Sequence, residues 1–151
     1  MASCRHPLSC HLFNCVIDLA LSNLDNEVGI HIWNSFLNDM AFADDMCLLA
    51  TTPAGLQRNL DLLHNSLRAS GMEISTGVGG KSASLRIDID GKAKRWVVNP
   101  NSYLTVGEGL IPALSITQCY KYLGILTRAL GVRTQLRDTL QGWLDNITRA
   151  H

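Results

Sequence analysis

Residues 40–50 read Met40-Ala41-Phe42-Ala43-Asp44-Asp45-Met46-Cys47-Leu48-Leu49-Ala50, so two adjacent carboxylates lie between two apolar runs. The flanking runs, Leu37 to Phe42 and Met46 to Ala50, are apolar enough to form buried strands, and Asp44-Asp45 suits the turn that joins them. Two carboxylates this close repel each other unless a cation lies between them or they face water. The stretch therefore predicts a β-hairpin with a metal-binding acidic turn, and the alternative is an exposed acidic turn.

The composition is that of one ordinary folded domain. The chain has 151 residues, of which 46% are apolar, enough for a hydrophobic core. It contains no run of about 18 apolar residues and no basic-then-apolar leader, so we predict no membrane span, no secretory signal and an intracellular location. The five cysteines include no CxxC pair, which favours reduced thiols. A zinc cluster is the minor alternative, because the candidate ligands match no common finger spacing; they are Cys4, His6, Cys10, His11 and Cys15.

Charge is distributed unevenly along the chain. Residues 1–80 hold three basic and eight acidic side chains, whereas residues 81–151 hold ten basic and five acidic ones. This asymmetry fits an acidic metal site beside a surface that meets phosphates, although two halves that attract each other would show it too. The candidate phosphate contacts, which are otherwise a solvated face, are Lys92, Lys94, Arg95, Lys121, Arg128, Arg133 and Arg137.

Three segments carry helical periodicity. The apolar residues of Ser9 to Leu24 recur at helical spacing, with Pro7 and Ser9 suiting the helix start. A second helix opens at Thr52-Pro53 and stops at Gly71. A third is predicted over Thr134 to Ile147.

Further strands are predicted between and after the first two helices. Asp90-Gly91 is a strong signal for a type I′ hairpin turn. The glycines of Gly77 to Lys81 mark a loop whose spacing is not that of a P-loop. The mixture of helices and hairpins predicts an α+β fold. The predicted strands are Val28 to Ile32, Ser84 to Ile89, Arg95 to Val98, Tyr103 to Val106 and Tyr120 to Leu126.

Four short motifs follow one another in a fixed order. They are Pro7-Leu8-Ser9 opening a helix with Leu12-Phe13-Asn14, then Phe42-Ala43-Asp44-Asp45, then Gly71 after a helix, then Tyr120-Lys121-Tyr122-Leu123-Gly124-Ile125. This order resembles the palm of reverse transcriptases from non-LTR retrotransposons, most closely the class that inserts into ribosomal-RNA genes. The resemblance implies a partial palm over residues 1–126, an antiparallel sheet with packed helices, and the start of a thumb with its helix over residues 127–151.

The resemblance also implies catalytic residues. Asp44 looks like a direct metal ligand, with Asp45 as the weaker partner. Such a centre uses two divalent cations roughly 4 Å apart, and hard oxygen ligands suit Mg²⁺. Lys81 is nearest to the family's lysine that acts as proton donor to pyrophosphate, but at a longer spacing, so a surface lysine is the alternative.

Contacts with nucleotide, template and primer are implied as well. Pro7, Leu8, Ser9 and Asn14 match the element that contacts the incoming nucleotide and the templating base, with Phe42 and Ala43 beside it. The sequence departs from the family's pattern just before Pro7, where Cys4-Arg5-His6 replaces Gln-Gly-Asp. Tyr122-Leu123-Gly124 resembles the hairpin that grips the primer; the alternative is a core strand with a bulge at the glycine.

The implied partners are an RNA template and a DNA primer, and the implied location is the nucleus. The family's first catalytic aspartate lies upstream of the Pro-Leu-Ser element, whereas Met1 comes six residues before Pro7. We therefore expect a fragment or relic that is inactive without the fingers and remaining palm of a longer polyprotein. The alternatives are a noncatalytic nucleic-acid-binding module and a small α+β domain without activity.

Overall fold

The computed structural model describes residues 7–77, 80–123, 125–128 and 131–132. They form two compact units, one from the described residues up to Ser82 together with Leu104–Ile111, the other from Ala83–Tyr103 and the described residues from Pro112 onward. The described elements are α1 (Pro7–Ser22), β1 (Ile30–Ile32), β2 (Ser35–Leu37), β3 (Asp39–Phe42), β4 (Asp45–Leu48), α2 (Pro53–Ala69), β5 (Ile87–Asp90), β6 (Arg95–Val98), β7 (Leu104–Val106), β8 (Gly109–Ile111), β9 (Cys119–Tyr122), β10 (Ile125–Arg128) and β11 (Gly131–Val132). The predicted α+β class is confirmed.

The core of the first unit forms where α1 packs on α2. Ile17, Ala20 and Leu24 recur at helical spacing and are buried against Leu63 and Leu67 of α2. Full burial of each large aliphatic side chain contributes about 1.5–3 kcal/mol. The predicted first helix is therefore confirmed, although its described end is Ser22 rather than Leu24.

The ends of α2 follow local rules. Thr52 is the N-cap, its Oγ1 accepting the backbone N–H of Gly55 at 3.1 Å, and Pro53 is the first helical residue. At the other end Gly71 has φ +75°, and its N–H donates to the carbonyl of Arg68 while Met72 donates to Leu67. This is a Schellman motif, so the predicted start and stop are both confirmed.

A second apolar cluster joins α2 to a short hairpin. Leu60 packs with Leu104 and Val106 of β7 and with Ile111 of β8. Gln57 adds two polar contacts to the edge of β7 through the backbone of Thr105, accepting its N–H at 2.9 Å and donating to its carbonyl at 2.8 Å. The side chain of Gln57 thereby replaces a neighbouring strand.

The chain between α1 and α2 forms two separate hairpins. The predicted strand from Val28 begins only at Ile30, and β1 pairs with the unpredicted strand β2 around a turn that starts at Trp33, whose φ is 53°. The predicted strand Leu37 to Phe42 is divided at Asn38 between β2 and β3.

The hairpin β5–β6 differs from its prediction in both length and turn. The strand begins at Ile87, because Ser84 instead donates its N–H to Pro112 in a bridge with Ala113. The type I′ turn is wrong: Gly91 does not have the positive φ that this turn requires. A four-residue loop, residues 91–94, forms instead because Asp90 Oδ1 accepts the N–H groups of Lys92 and Ala93, each at 3.1 Å.

A single strand over Tyr120 to Leu126 is also wrong. Residues on either side of Leu123 belong to two antiparallel strands, β9 and β10, with Tyr122 opposite Ile125. Leu123 has φ 48°, which turns the chain back on itself. The predicted helix Thr134 to Ile147 lies outside the described residues. Among the residues that the structure describes, no helix is long and apolar enough to cross a membrane.

Candidate active site

The acidic motif forms the tip of the hairpin β3–β4. Phe42 lies opposite Asp45 in the antiparallel register, so Ala43 and Asp44 are the two turn residues. Ala43 has φ 53°, whereas Asp44 is not at positive φ. Positive φ at the first central residue alone is typical of a type II′ turn, which suits the twist of two paired strands. The turn is therefore tight, and a non-glycine residue in an unfavourable conformation precedes Asp44.

The two faces of this hairpin have different surroundings. Met46 and Leu48 point inward and pack on the core between α1 and α2. Asp45 lies on the opposite face, because successive strand residues alternate, and it shares that face with Phe42 and Met40. Phe42 is 68% exposed and Met40 is 43% exposed. The core thus holds the inner face, while Met40 and Phe42 of the outer face and the acidic tip are exposed.

Asp44 and Asp45 are both exposed. Within the described part of the chain, neither side-chain carboxylate takes part in a hydrogen bond or ion pair, and no group of three His, Cys, Asp or Glu side chains is placed to hold a metal. Carboxylate oxygens are the ligands that Mg²⁺ prefers, so the donor chemistry fits this ion. Two carboxylates supply only part of an octahedral shell, and water or other groups would supply the rest.

Asp39, at the base of β3, is a further carboxylate of the same hairpin. It lies opposite Leu48 on the inner face, and burial raises its pKa above the ordinary carboxyl value. A strand rise of about 3.3 Å per residue puts it roughly 10 Å or more from the turn. Asp39 is therefore too far along the strand to share an ion with Asp44.

The predicted nucleotide contacts lie on α1. Pro7 is the first residue of the helix, and Leu8, Ser9 and Asn14 are exposed. No hydrogen bond of the described residues connects Ser9 or Asn14 to the hairpin. Their contact with a nucleotide stays a prediction.

The other predicted site residues are only partly described. Lys81 is exposed, and its backbone N–H donates to Ser75 Oγ at 3.2 Å. Tyr122 ends β9 and Leu123 occupies the following turn, whereas Gly124 lies outside the described residues. The structure therefore gives a tight hairpin where the primer grip was predicted.

The alternative zinc cluster is described only on α1. Cys10 and Cys15 are exposed free thiols and His11 is exposed beside them, while Cys4 and His6 lie outside the described residues. Cys47 and Cys119 are also free thiols and are half-buried. Burial raises the pKa of the Cys47 thiol, so its neutral form is favoured.

Sequence reasoning missed the polar cluster that holds the chain after α1. Asn59 of α2 is buried, and its Oδ1 accepts the backbone N–H of Asp25 at 2.8 Å while its Nδ2 donates to the Asp25 carbonyl at 3.4 Å. Arg58 adds an ion pair with the Asp25 carboxylate at 3.1 Å. The available signal was a polar residue directly before Leu60 in the apolar stripe of α2.

Comparison with known proteins agrees with the motifs. No family model matches the chain. It is 33% identical over 144 residues to a retrovirus-related Pol polyprotein from a type-1 retrotransposable element R2 of Nasonia vitripennis, and 37% identical over 145 residues to the corresponding polyprotein of the type-2 element R2DM of Drosophila melanogaster. A third relative, from an R2 element of Bradysia coprophila, is 33% identical over 125 residues.

These matches cover 95%, 95% and 83% of the chain, respectively. The chain spans only 14%, 13% and 14% of the lengths of the same relatives. Their class is that of retrotransposon Pol polyproteins. More particularly, the chain is homologous to a segment of the Pol polyproteins of R2 non-LTR retrotransposons, which confirms the resemblance stated from its motifs and identifies a reverse-transcriptase-related sequence.

Proposed function

We propose that this chain is part of a reverse-transcriptase palm, in which Asp44 and Asp45 serve RNA-directed DNA synthesis. The observation that carries the proposal is the hairpin itself. A tight turn presents two adjacent carboxylates to solvent, while Met46 and Leu48 hold the strands to a helical core. Anchoring of this kind keeps metal ligands in place, which catalysis at a metal centre requires.

The site would act on a nucleotide and a primer hydroxyl. When bound, two Mg²⁺ ions lower the pKa of the hydroxyl and stabilise the leaving pyrophosphate. Asp44 would be a direct ligand and Asp45 the weaker partner. Phe42 and Ala43, next to the carboxylates, would line the approach of the nascent base pair, together with Pro7, Leu8, Ser9 and Asn14.

The remaining assignments belong to the same proposal. Lys81 would donate a proton to pyrophosphate, and Tyr122-Leu123-Gly124 would grip the primer. Residues 1–126 would be palm and residues 127–151 the start of the thumb. The substrates would be an RNA template and a DNA primer, in the nucleus where chromosomal DNA lies.

We further propose that the chain alone does not polymerise DNA. Consecutive carboxylates leave most of an octahedral Mg²⁺ shell to other groups, and an ion held so weakly stays largely hydrated. The relatives are far longer than this chain, so a further carboxylate ligand could come from another part of a longer polyprotein.

Primer extension tests the inactivity directly. The 151-residue chain is incubated with an RNA template, an annealed DNA primer, deoxynucleotides and Mg²⁺, beside its Asp44→Ala variant. No extension is expected from either protein. Extension by the parent chain that the substitution abolishes would contradict the proposed inactivity.

A chimera tests the catalytic role. The chain replaces the matching segment of the R2DM polyprotein, and extension is measured for the parent chimera and for Asp44→Ala and Asp45→Ala. Removing a residue that only orients a metal ligand typically lowers activity about 10–100-fold. Asp44→Ala should therefore lower extension roughly a hundredfold or more, and Asp45→Ala should lower it by a smaller factor. Asp18→Ala, which removes an exposed carboxylate on α1, is the matched control and should retain activity. Equal activity of the Asp44→Ala and Asp18→Ala chimeras would refute the assignment.

A further inference from the structure

The hairpin β5–β6 has one apolar face that is open at its outer end. Its register puts Ile89 opposite Trp96 and Ile87 opposite Val98, so these four side chains share a face. Val98 is buried at the base, whereas Trp96 is 66% exposed and Ile89 is 67% exposed. The outer half of the face is therefore an exposed indole ring with an aliphatic neighbour.

The acidic residues of this hairpin are already engaged. On the opposite face, Asp88 accepts hydrogen bonds from Arg86 Nε and Asn99 Nδ2, each at 2.8 Å, and these bonds lower its pKa. Asp90 accepts the two loop N–H groups and lies 3.9 Å from Arg95 Nε. Both carboxylates are thus matched by donors within the hairpin.

The loop at the tip carries charge that nothing in the described structure matches. Lys92 and Lys94 are exposed, and neither ammonium group forms an ion pair with another described residue. Lys92 lies four residues and Lys94 two residues before Trp96 in the chain. An uncompensated positive tip therefore adjoins an exposed aromatic ring.

We propose that this face of β5–β6 binds single-stranded nucleic acid, with a base stacked on Trp96 and phosphates contacted by Lys92 and Lys94. The inference rests on the nucleic-acid partner of the proposed function. Single strands are bound by exposed aromatic rings beside positive charge, because an unpaired base has a free π-face and its phosphate lies within reach of the cations. The positive tip favours a phosphate-bearing partner over an apolar one, and paired bases, stacked within a duplex, do not offer their faces to the ring.

Fluorescence anisotropy of labelled 12-nucleotide oligomers tests the stacking. Titrations use the full 151-residue chain with oligouridylate RNA and with oligothymidylate DNA at about 0.1 M salt, and a blunt RNA duplex of equal length serves for comparison. Trp96→Ala should weaken single-strand binding about tenfold, the order found for loss of one stacking residue. Trp96→Phe, which keeps an aromatic ring, should restore most of the affinity.

The chain offers a matched control. Trp33 is 96% exposed in the turn of β1–β2, a hairpin without lysine or arginine. Trp33→Ala removes an indole that is even more exposed than that of Trp96 and should leave the affinity unchanged. The pair Lys92→Gln and Lys94→Gln should reduce the slope of log affinity against log salt by about 1.4, since each single-strand phosphate contact contributes about 0.7.

Several outcomes would overturn the inference. These are no measurable binding, equal affinity of Trp96→Ala and Trp33→Ala, and duplex binding as tight as single-strand binding. Sedimentation velocity tests whether the face instead binds a second copy of the chain. If Trp96→Ala abolishes self-association but leaves the affinity for the oligonucleotides unchanged, the proposal fails. Preference between RNA and DNA oligomers distinguishes template from primer strand as the ligand.

The test is separable from that of the catalytic carboxylates. If Trp96→Ala leaves oligomer affinity unchanged, this inference fails, but the dependence of chimera extension on Asp44 is unaffected. If Trp96→Ala weakens oligomer binding but Asp44→Ala does not reduce extension by the chimera, the inference stands and the proposed catalytic role fails.

Discussion

At the scale of single residues, Asp39 and Asp45 show how position within one hairpin decides the state of a carboxylate. Asp45 shares the outer face with Phe42 and is exposed. Asp39 shares the inner face with Leu48, and the resulting desolvation raises its pKa. A carboxylate at the tip is free to meet a cation, whereas one at the base carries an energetic penalty when charged.

Asp39→Asn should therefore stabilise the chain at neutral pH. The folded chain holds the Asp39 proton more tightly than the unfolded chain, so the free energy of unfolding falls as pH rises through the ordinary carboxyl range and the raised folded pKa. Above that window the penalty is fully present, and removing it should gain less than about 1 kcal/mol. Urea unfolding at pH 7 and near pH 3 measures the gain, which should disappear at the lower pH.

The exposed Glu73 provides the control for this prediction. Glu73→Gln also removes one carboxylate but should leave the unfolding free energy nearly unchanged at both pH values. A gain for Asp39→Asn that persists at low pH would show that packing or hydrogen bonding, rather than the charge, is responsible.

At the scale of elements, turns show how far the sequence alone predicts the fold. The ends of α2 were predictable because Thr52, Pro53 and Gly71 act through local backbone chemistry. The turns at Trp33 and Leu123 were not, because bulky residues rarely occupy positive φ, and here they do so between paired strands. Local rules thus predict an element's end when a side chain or glycine makes it, and fail when tertiary pairing does.

Some features of the candidate site could likewise be predicted from the sequence, and others could not. Asp44 and Asp45 were predictable because acidic residues between two apolar runs are a local pattern. The inner-face position of Asp39 and the burial of Asn59 were not, since each depends on packing between elements distant in sequence. A turn at the acidic residues was predicted at Asp44-Asp45, but it lies one residue earlier, at Ala43-Asp44, because Asp45 pairs with Phe42 as the first residue of β4. The positive φ of Ala43 was not predicted.

Replacing Ala43 by glycine should stabilise the hairpin β3–β4. A left-handed conformation costs an L-residue about 1–2 kcal/mol, whereas glycine adopts it freely and loses about 0.5–1 kcal/mol of backbone entropy on folding. Ala43→Gly should thus raise the free energy of unfolding by roughly 0.5–1 kcal/mol, measured by urea denaturation. Ala41→Gly is the matched control, because Ala41 lies within β3 without positive φ, and it should lower the same quantity. A loss in both variants would contradict strain at residue 43.

At the scale of the whole molecule, the two described units leave much apolar surface in contact with water. On α1, the residues at positions i, i+4, i+7 and i+11 from Leu8 form a stripe that is exposed along its length, opposite the buried Ile17 and Ala20. We define this exposed stripe by its four members, Leu8, Leu12, Cys15 and Leu19. Contiguous apolar surface of this kind favours association between molecules.

The exposed stripe should therefore make the isolated chain self-associate as its concentration rises. The double substitution Leu12→Gln and Leu19→Gln removes two of its three leucines, both exposed, and should raise the monomer fraction several-fold in sedimentation velocity without loss of helical circular dichroism. A reductant is needed throughout, because Cys10 and Cys15 are exposed thiols whose disulfides would also produce dimers. Leu63→Gln, which places an amide in the buried core, should instead lower the helical signal and increase aggregation, so a general effect of added polarity is distinguished from loss of the stripe. If the double variant associates as strongly as the parent, another surface is responsible, and the outer face of β3–β4, with its exposed Phe42, becomes the next region to test.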